Sequence, residues 1–398
     1  MDSEKVIKRD NAYVLHTYNR NPVVLEKGHG LYAEGPEGQK YLDFTSGIGV
    51  NSLGYCDLTW AEAVSEQAHK LQHTSNLYYT SPCGKLAKKL CKRTGMSKVF
   101  FGNSGAEANE GAIKVARRWG EVKLDGAAGI VSAHKSFHGR TLATLAATGQ
   151  DVFHKSFQPL PAGFASVDLN DIDALRDAVE NPAPSCGPVC AVMLECVQGE
   201  GGVWPATYDY LRAVSDLCHE KGILLVIDEV QTGFFRCGSP FSFQRAGIVP
   251  DIVTMAKGIA DGFPMGAVAA RAEVADLMRP GDHGSTFGGS ALAMAACRAT
   301  LCALVEEDMG EHVIATGKHL RHRLEAMPHV TEVRGRGLMR GAQLDVPVAT
   351  ALVDEGLAEG LVLNHIGDSI LRFLPPLCIT DEQVDEGMDR LEALLAKH

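Results

Sequence analysis

ILLVIDEVQTG at residues 223–233 and PDIVTMAKG at residues 250–258 are the two stretches from which the fold can be read. Aliphatic runs that end abruptly in polar residues read as strands buried on both faces of a parallel sheet. In open α/β sheets, ligand chemistry gathers at the carboxyl ends of such strands. Asp228 closes the first run and Lys257 the second. A carboxylate and an amine presented in one cleft make either a structural ion pair or a grip on the two ends of one aromatic cofactor.

The second alternative has a definite chemical form. Pyridoxal phosphate needs a lysine amine for its aldehyde and an acidic partner for its ring nitrogen. A carboxylate against that nitrogen favours the protonated ring, because an opposite charge stabilises the cationic form. Such a ring accepts the electron pair left behind when a proton leaves the substrate.

Composition narrows the class. The 398 residues, 45% hydrophobic and 22% charged, suit a globular enzyme of two or three domains. A net charge of −11 argues against a nucleic-acid or membrane-surface partner, both of which attract basic chains. No apolar stretch approaches the ~20 residues of a membrane helix. The N-terminal MDSEKVIKRDNAY lacks the apolar core of a secretory signal. With eleven scattered cysteines, an odd count, this predicts reduced thiols and a cytoplasmic location. Cys186, Cys190 and Cys196 lie close in sequence, but no CxxC pair or histidine cluster accompanies them, so no metal site is expected. Gly47-Ile48-Gly49 is not followed by a glycine at dinucleotide-binding spacing.

Along the chain, short strands separated by turns fill residues 11–40, and helices follow over 60–71 and 84–94. VFFGNSGAEANEGAIKVARRW then reads as a strand, a tight polar turn and a helix with Ala108, Ala112, Val115 and Trp119 on its inner face. Ser104 at the helix start offers a hydroxyl, free N–H groups and the positive end of a dipole. That is either a phosphate cradle or an ordinary capped helix. SFHGRTLATLAATG brings Phe137 and His138, suited to flank a planar ring, and Arg140, whose fork matches a carboxylate unless it is simply solvated. The strand 189–195 enters ECVQGEGGVWP, a glycine-rich loop past a strand end that looks like a site. GDHGSTFGGS has too many glycines for a regular element, and its Thr286 could bond a phosphate. A single long helix is expected over 291–327. The rhythm then changes to short strands and helices, giving three segments: an N-terminal segment 1–58, a large domain 59–295 and a small α+β domain 296–398 packed with the first.

Together, FFGNSGAEANEGAIKVARR, SFHGRTLATLAATG, VQGEGG, VIDEVQTG, PDIVTMAKG, GDHGSTFGG and LRFLPPLCIT resemble the class III, ornithine-type aminotransferases in motif and in order. The resemblance implies a fold-type I pyridoxal phosphate transferase, with a mostly parallel central sheet, helices on both faces and a smaller α+β domain. GDHGSTFGG and LRFLPPL look most like the acetylornithine branch. This implies transfer of a terminal amino group from N-acetylornithine to 2-oxoglutarate in arginine biosynthesis, with ornithine, succinylornithine or 4-aminobutyrate as alternative donors.

The resemblance also implies roles. Lys257 would hold the cofactor and then act as the base, with Asp228 against the ring nitrogen and Gln231 on the phenolic oxygen. Ser104, Gly105 and Ala106 would hold the phosphate, Phe137 would lie on the ring face and His138 would flank it. Thr286 would reach the cofactor of the other subunit in a homodimer with shared sites. Arg140 would bind the donor's α-carboxylate and Arg372 that of glutamate, with Glu200 as the movable partner of Arg372. Ser285 and Tyr18 would also contact substrate. Three departures from the family pattern stand out: Cys196 follows Glu195 where proline is usual, Phe235-Arg236-Cys237-Gly238 replaces Gly-Arg-Thr-Gly, and Tyr55-Cys56-Asp57-Leu58 interrupts a histidine-bearing turn.

Overall fold

The computed structural model describes residues 3–306 and 308–398. Its centre is a seven-stranded sheet built from β1 (Lys98–Gly102), β2 (Gly129–Ala133), β3 (Phe164–Val167), β4 (Val189–Glu195), β5 (Leu224–Asp228), β6 (Ile252–Met255) and β7 (Gly266–Ala270). The spatial order is β1-β7-β6-β5-β4-β2-β3. All pairings are parallel except those of β7, which runs antiparallel to both β1 and β6.

The continuous apolar runs are explained by what covers the sheet. Side chains alternate across a strand. Leu224 and Val226 of β5 therefore join one cluster with Ala112, Ile113 and Ala116 of helix α1 (Gly105–Lys123). Leu225 and Ile227 join the other, with Leu211, Val214 and Leu217 of the helix Tyr208–Lys221. Both faces are dry, so no polar alternation is left in the sequence.

The expected single helix over 291–327 is two helices, Ala291–Glu306 and Met309–Glu325. Asp308 caps the second from the left-handed region, at φ 45°. Aspartate tolerates that region better than most residues.

Beyond this break, an antiparallel sheet contains Val330–Arg336, Met339–Leu344, Ile370–Phe373 and Asn364–Ile366, in that order. The N-terminal strand Lys40–Asp43 pairs in parallel with Leu361–Val362. The Tyr32 hydroxyl donates to Glu386 Oε2 at 2.7 Å. Among the described residues no helix is long and apolar enough to cross a membrane.

The turn between β1 and α1 rests directly on the start of β7. Gly266 pairs with Gly102, and a Cβ on Gly266 would lie 2.0 Å from the Ser104 carbonyl oxygen. Gly266→Ala must therefore push this turn away. The expected cost is about 1–3 kcal/mol of stability, read as a lower denaturant midpoint. An unchanged midpoint would mean that the turn is free to move.

Candidate active site

Parallel register sets the first part of the site. Asp228 lies opposite Glu195 of β4 on one side and Thr254 of β6 on the other. Two carboxylates thus stand at neighbouring strand ends, both buried. Donors converge on them. Asp228 Oδ2 accepts from Asn109 Nδ2 and is paired with His138 Nδ1, each at 2.8 Å. Asp228 Oδ1 accepts from the Val230 N–H at 2.9 Å. Glu195 accepts from the N–H groups of Phe137 and Gly199 at 3.1 and 3.2 Å.

The electrostatics follow from burial and from these neighbours. Burial and the adjacent Asp228 charge push Glu195 up to about 7. Burial works against a charged His138, but the hydrogen bond and charge of Asp228 prevail and its pKa is raised. The ring nitrogen Nδ1 is then the donor and Asp228 the acceptor. Burial pushes the Lys257 amine below the ordinary lysine range, against the carboxylates of Glu200, Asp228 and Glu195. Lys257 also occupies a left-handed backbone conformation, φ 47°. Strain of this kind persists only where the surroundings enforce it, and it collects at functional sites.

Asp228 and Lys257 line one cavity of about 360 Å³, together with Ser104, Gly105, Ala106, Phe137, His138, Arg140, Glu200 and Gln231. Ser104 is the N-cap of α1, its Oγ accepting from the Glu107 N–H at 3.1 Å. Ser104 thus caps a 19-residue helix whose positive end lies at the same cavity, where an anion would be favoured. Gly105 is packed tightly, because a Cβ there would lie 2.8 Å from Val230 Cγ1.

These residues fit pyridoxal phosphate. An amine, a carboxylate and an anion-binding helix end share one cavity. Three of its lining residues also carry buried polar atoms without a protein partner: Asn109 Oδ1, His138 Nε2 and Gln231 Oε1. A polar cofactor supplies what such atoms lack.

The two arginines are in opposite states. Arg372, buried on the strand Ile370–Phe373, donates to Glu200 at 2.6 Å and to Asn364 Oδ1 at 2.8 Å. Although burial works the other way, Arg372 holds the Glu200 carboxyl below the usual range. Arg140 is exposed and has no carboxylate partner among the described residues. Its guanidinium lies 3.9 Å from the Phe153 ring centroid and 5.5 Å from that of Phe137.

Three nominated residues lie outside the cavity in the single chain. Thr286 is exposed, and Ser285 is reached only through Asn103, whose Nδ2 donates to its Oγ at 3.2 Å. Tyr18 is 74% exposed and is flanked by Arg20 rather than by any cavity residue. Sequence reasoning missed Asn109 and Glu195. Asn109 was signalled only by being polar between apolar helix positions, and Glu195 by ending a strand as Asp228 does.

A cavity that pairs a lysine with a strand-end carboxylate, below a helix N-terminus, suits a pyridoxal phosphate enzyme. The family model described as aminotransferase class III matches residues 13–395, and the chain belongs to that family. It is a pyridoxal phosphate-dependent aminotransferase, acting on an amino donor and a keto acid. The acetylornithine aminotransferase of Haemophilus ducreyi is 46% identical over 398 residues, covering 100% of both chains. That of Caldanaerobacter subterraneus is 45% identical over 397 residues, covering 98% of this chain and 99% of the other. Among solved structures, the ornithine aminotransferase of Toxoplasma gondii superposes with a TM-score of 0.94 at 30% identity, covering 100% of this chain and 96% of that one.

Beside the site, Glu229 is fully buried and accepts from the Phe243 N–H at 2.9 Å and from the Thr232 hydroxyl at 2.6 Å. Burial pushes its pKa from 4.5 up to about 7, and Asp261 is likewise raised to about 7. Between those values the native state holds more protons than the unfolded chain, so stability falls as pH rises. The melting temperature should drop between about pH 5 and 7, and less steeply in Glu229→Gln. Identical slopes in the two proteins would remove Glu229 from this account.

Proposed function

We propose that this enzyme transfers the terminal amino group of N-acetylornithine to 2-oxoglutarate, giving N-acetylglutamate semialdehyde and glutamate, in arginine biosynthesis. Support on substrate comes from full-length relatives named acetylornithine aminotransferase at 45% and 46% identity. The observation that carries the two-substrate reading is the 2.6 Å pair of Glu200 and Arg372 facing an unneutralised Arg140. Arg140 would take the donor's α-carboxylate while Glu200 keeps Arg372 neutral. When the five-carbon diacid is bound, Glu200 would release Arg372 to its second carboxylate. A movable counter-ion suits this, because an unpaired buried guanidinium is costly.

Bound in this cavity, pyridoxal phosphate would supply the electron sink for the carbon that loses its proton. Lys257 Nζ would hold the cofactor, and its lowered pKa leaves the freed amine able to take and return that proton. Asp228, fixed by Asn109, His138 and the Val230 N–H, would face the ring nitrogen. Gln231 would bond the phenolic oxygen, Phe137 would cover the ring and Ser104, Gly105 and Ala106 would cradle the phosphate. Thr286 and Ser285, exposed or beside Asn103, suit a homodimer in which each subunit completes its partner's site, and Tyr18 suits the same arrangement. Segment 1–58 would pack with a small domain 296–398 beside the cofactor domain 59–295, in a cytoplasmic protein.

The test is glutamate formation from 2-oxoglutarate with a panel of donors. N-acetylornithine should exceed ornithine and 4-aminobutyrate in kcat/KM by at least about 10-fold, the scale a pocket achieves by contacts alone. A higher value for ornithine would replace the donor and keep the reaction. Lys257→Ala should lose at least about 100-fold in kcat while keeping its fold. Near-normal turnover in that variant would remove Lys257 from the chemistry.

A further inference from the structure

We infer that Phe153 is a positioning residue for donor recognition, acting through Arg140. This rests on the reading of Arg140 as the group that grips the donor's α-carboxylate. An arginine held by one of the protein's own carboxylates has to be released before it can grip a substrate's, as Arg372 has to be from Glu200. Arg140 is fixed in another way. Its guanidinium lies 3.9 Å from the centre of the Phe153 ring. An aromatic face attracts a cation and leaves its hydrogen-bond donors unused. The Phe153 ring meets Phe137 edge-on, with centroids 6.2 Å apart and planes at 85°. Phe137 lines the cavity, so the guanidinium is tied to its wall through two rings.

The short helical turn Asp151–Phe153 that carries this ring is itself anchored. The next residue, His154, bonds through Nε2 to the carbonyls of Leu145 and Thr148 at 2.9 and 2.8 Å. These belong to the helix Leu142–Ala147 and its C-cap, which begins two residues after Arg140. The ring and the arginine therefore sit on one closed loop of backbone. Nearby, Glu110 is engaged by the Thr141 hydroxyl at 2.5 Å. Phe153 itself touches nothing that reacts.

The test compares Phe153→Leu, Phe153→Met and Phe153→Tyr holoenzymes with wild type, on N-acetylornithine and on N-acetylputrescine, the same donor without its carboxylate. Loss of the ring face should raise KM for N-acetylornithine about 3- to 10-fold, the scale of a partly exposed cation–π contact, with kcat nearly unchanged. Calorimetry with N-acetylnorvaline, which has the carboxylate but no amine to transfer, should show the same loss in Kd. N-acetylputrescine should be unaffected, Phe153→Tyr should behave as wild type, and in an Arg140→Gln background Phe153→Leu should add nothing. Phe153→Met carries the comparison if Phe153→Leu does not fold.

Equal losses on both donors, or no loss where Arg140→Gln weakens N-acetylornithine, would overturn the role of Phe153. If Arg140→Gln leaves both donors unchanged, the carboxylate reading of Arg140 fails first and the inference falls with it. If wild type uses ornithine instead, only the donor assignment fails, and ornithine against putrescine makes the same comparison.

Discussion

Parallel pairing between β4 and β5 places Glu195 directly beside Asp228, and the rest of the site is arranged around that like-charge contact. Two buried carboxylates repel, and each needs its oxygens satisfied. The surrounding elements provide the donors: Asn109 from α1, His138 and the Phe137 N–H from the loop after β2, the Val230 N–H from the turn after β5, and Gly199 from the loop after β4. Each contribution fixes one element against another, so the electrostatic solution also assembles the cavity. His138, hydrogen-bonded to Asp228 and with its pKa raised by that carboxylate, answers the charge from within the site.

The same economy governs the two arginines. One is neutralised by a carboxylate on a loop, and the other is steadied by ring faces that leave its charge available. The left-handed backbone at Lys257 belongs to this picture too, since the strands and turns on either side force a conformation the lysine would not choose.

Much of this was legible in the chain. The runs ending in Asp228 and Lys257 announce buried strands and their site-bearing ends, because a sheet covered on both faces leaves no polar alternation. The polar turn before α1 announces a capped helix start, which Ser104 provides, but by itself does not separate an ordinary cap from a phosphate cradle. What stayed hidden depends on long-range register. That Glu195 neighbours Asp228 follows from strand order, which no local pattern encodes. Asn109 sits among Ala108, Ala112 and Val115, where periodicity registers only a helix, and its purpose appears once Asp228 lies opposite. The break at Asp308 was masked by good helix formers on both sides. Tyr18 and Thr286 do not line the cavity of their own chain, so one chain's geometry gives their side chains no task.

The pairing of Lys40–Asp43 with Leu361–Val362, sealed by a hydroxyl–carboxylate bond spanning 354 positions of sequence, has a consequence for biosynthesis. Leu42 and Phe44 leave the ribosome long before Leu361, which pairs with Leu42, and Phe373, whose ring meets that of Phe44. Until those later residues are made, the strand Lys40–Asp43 keeps an open edge and bare apolar side chains. The large sheet can begin to form meanwhile, and pairing with residues 361–373 is a later event of high contact order.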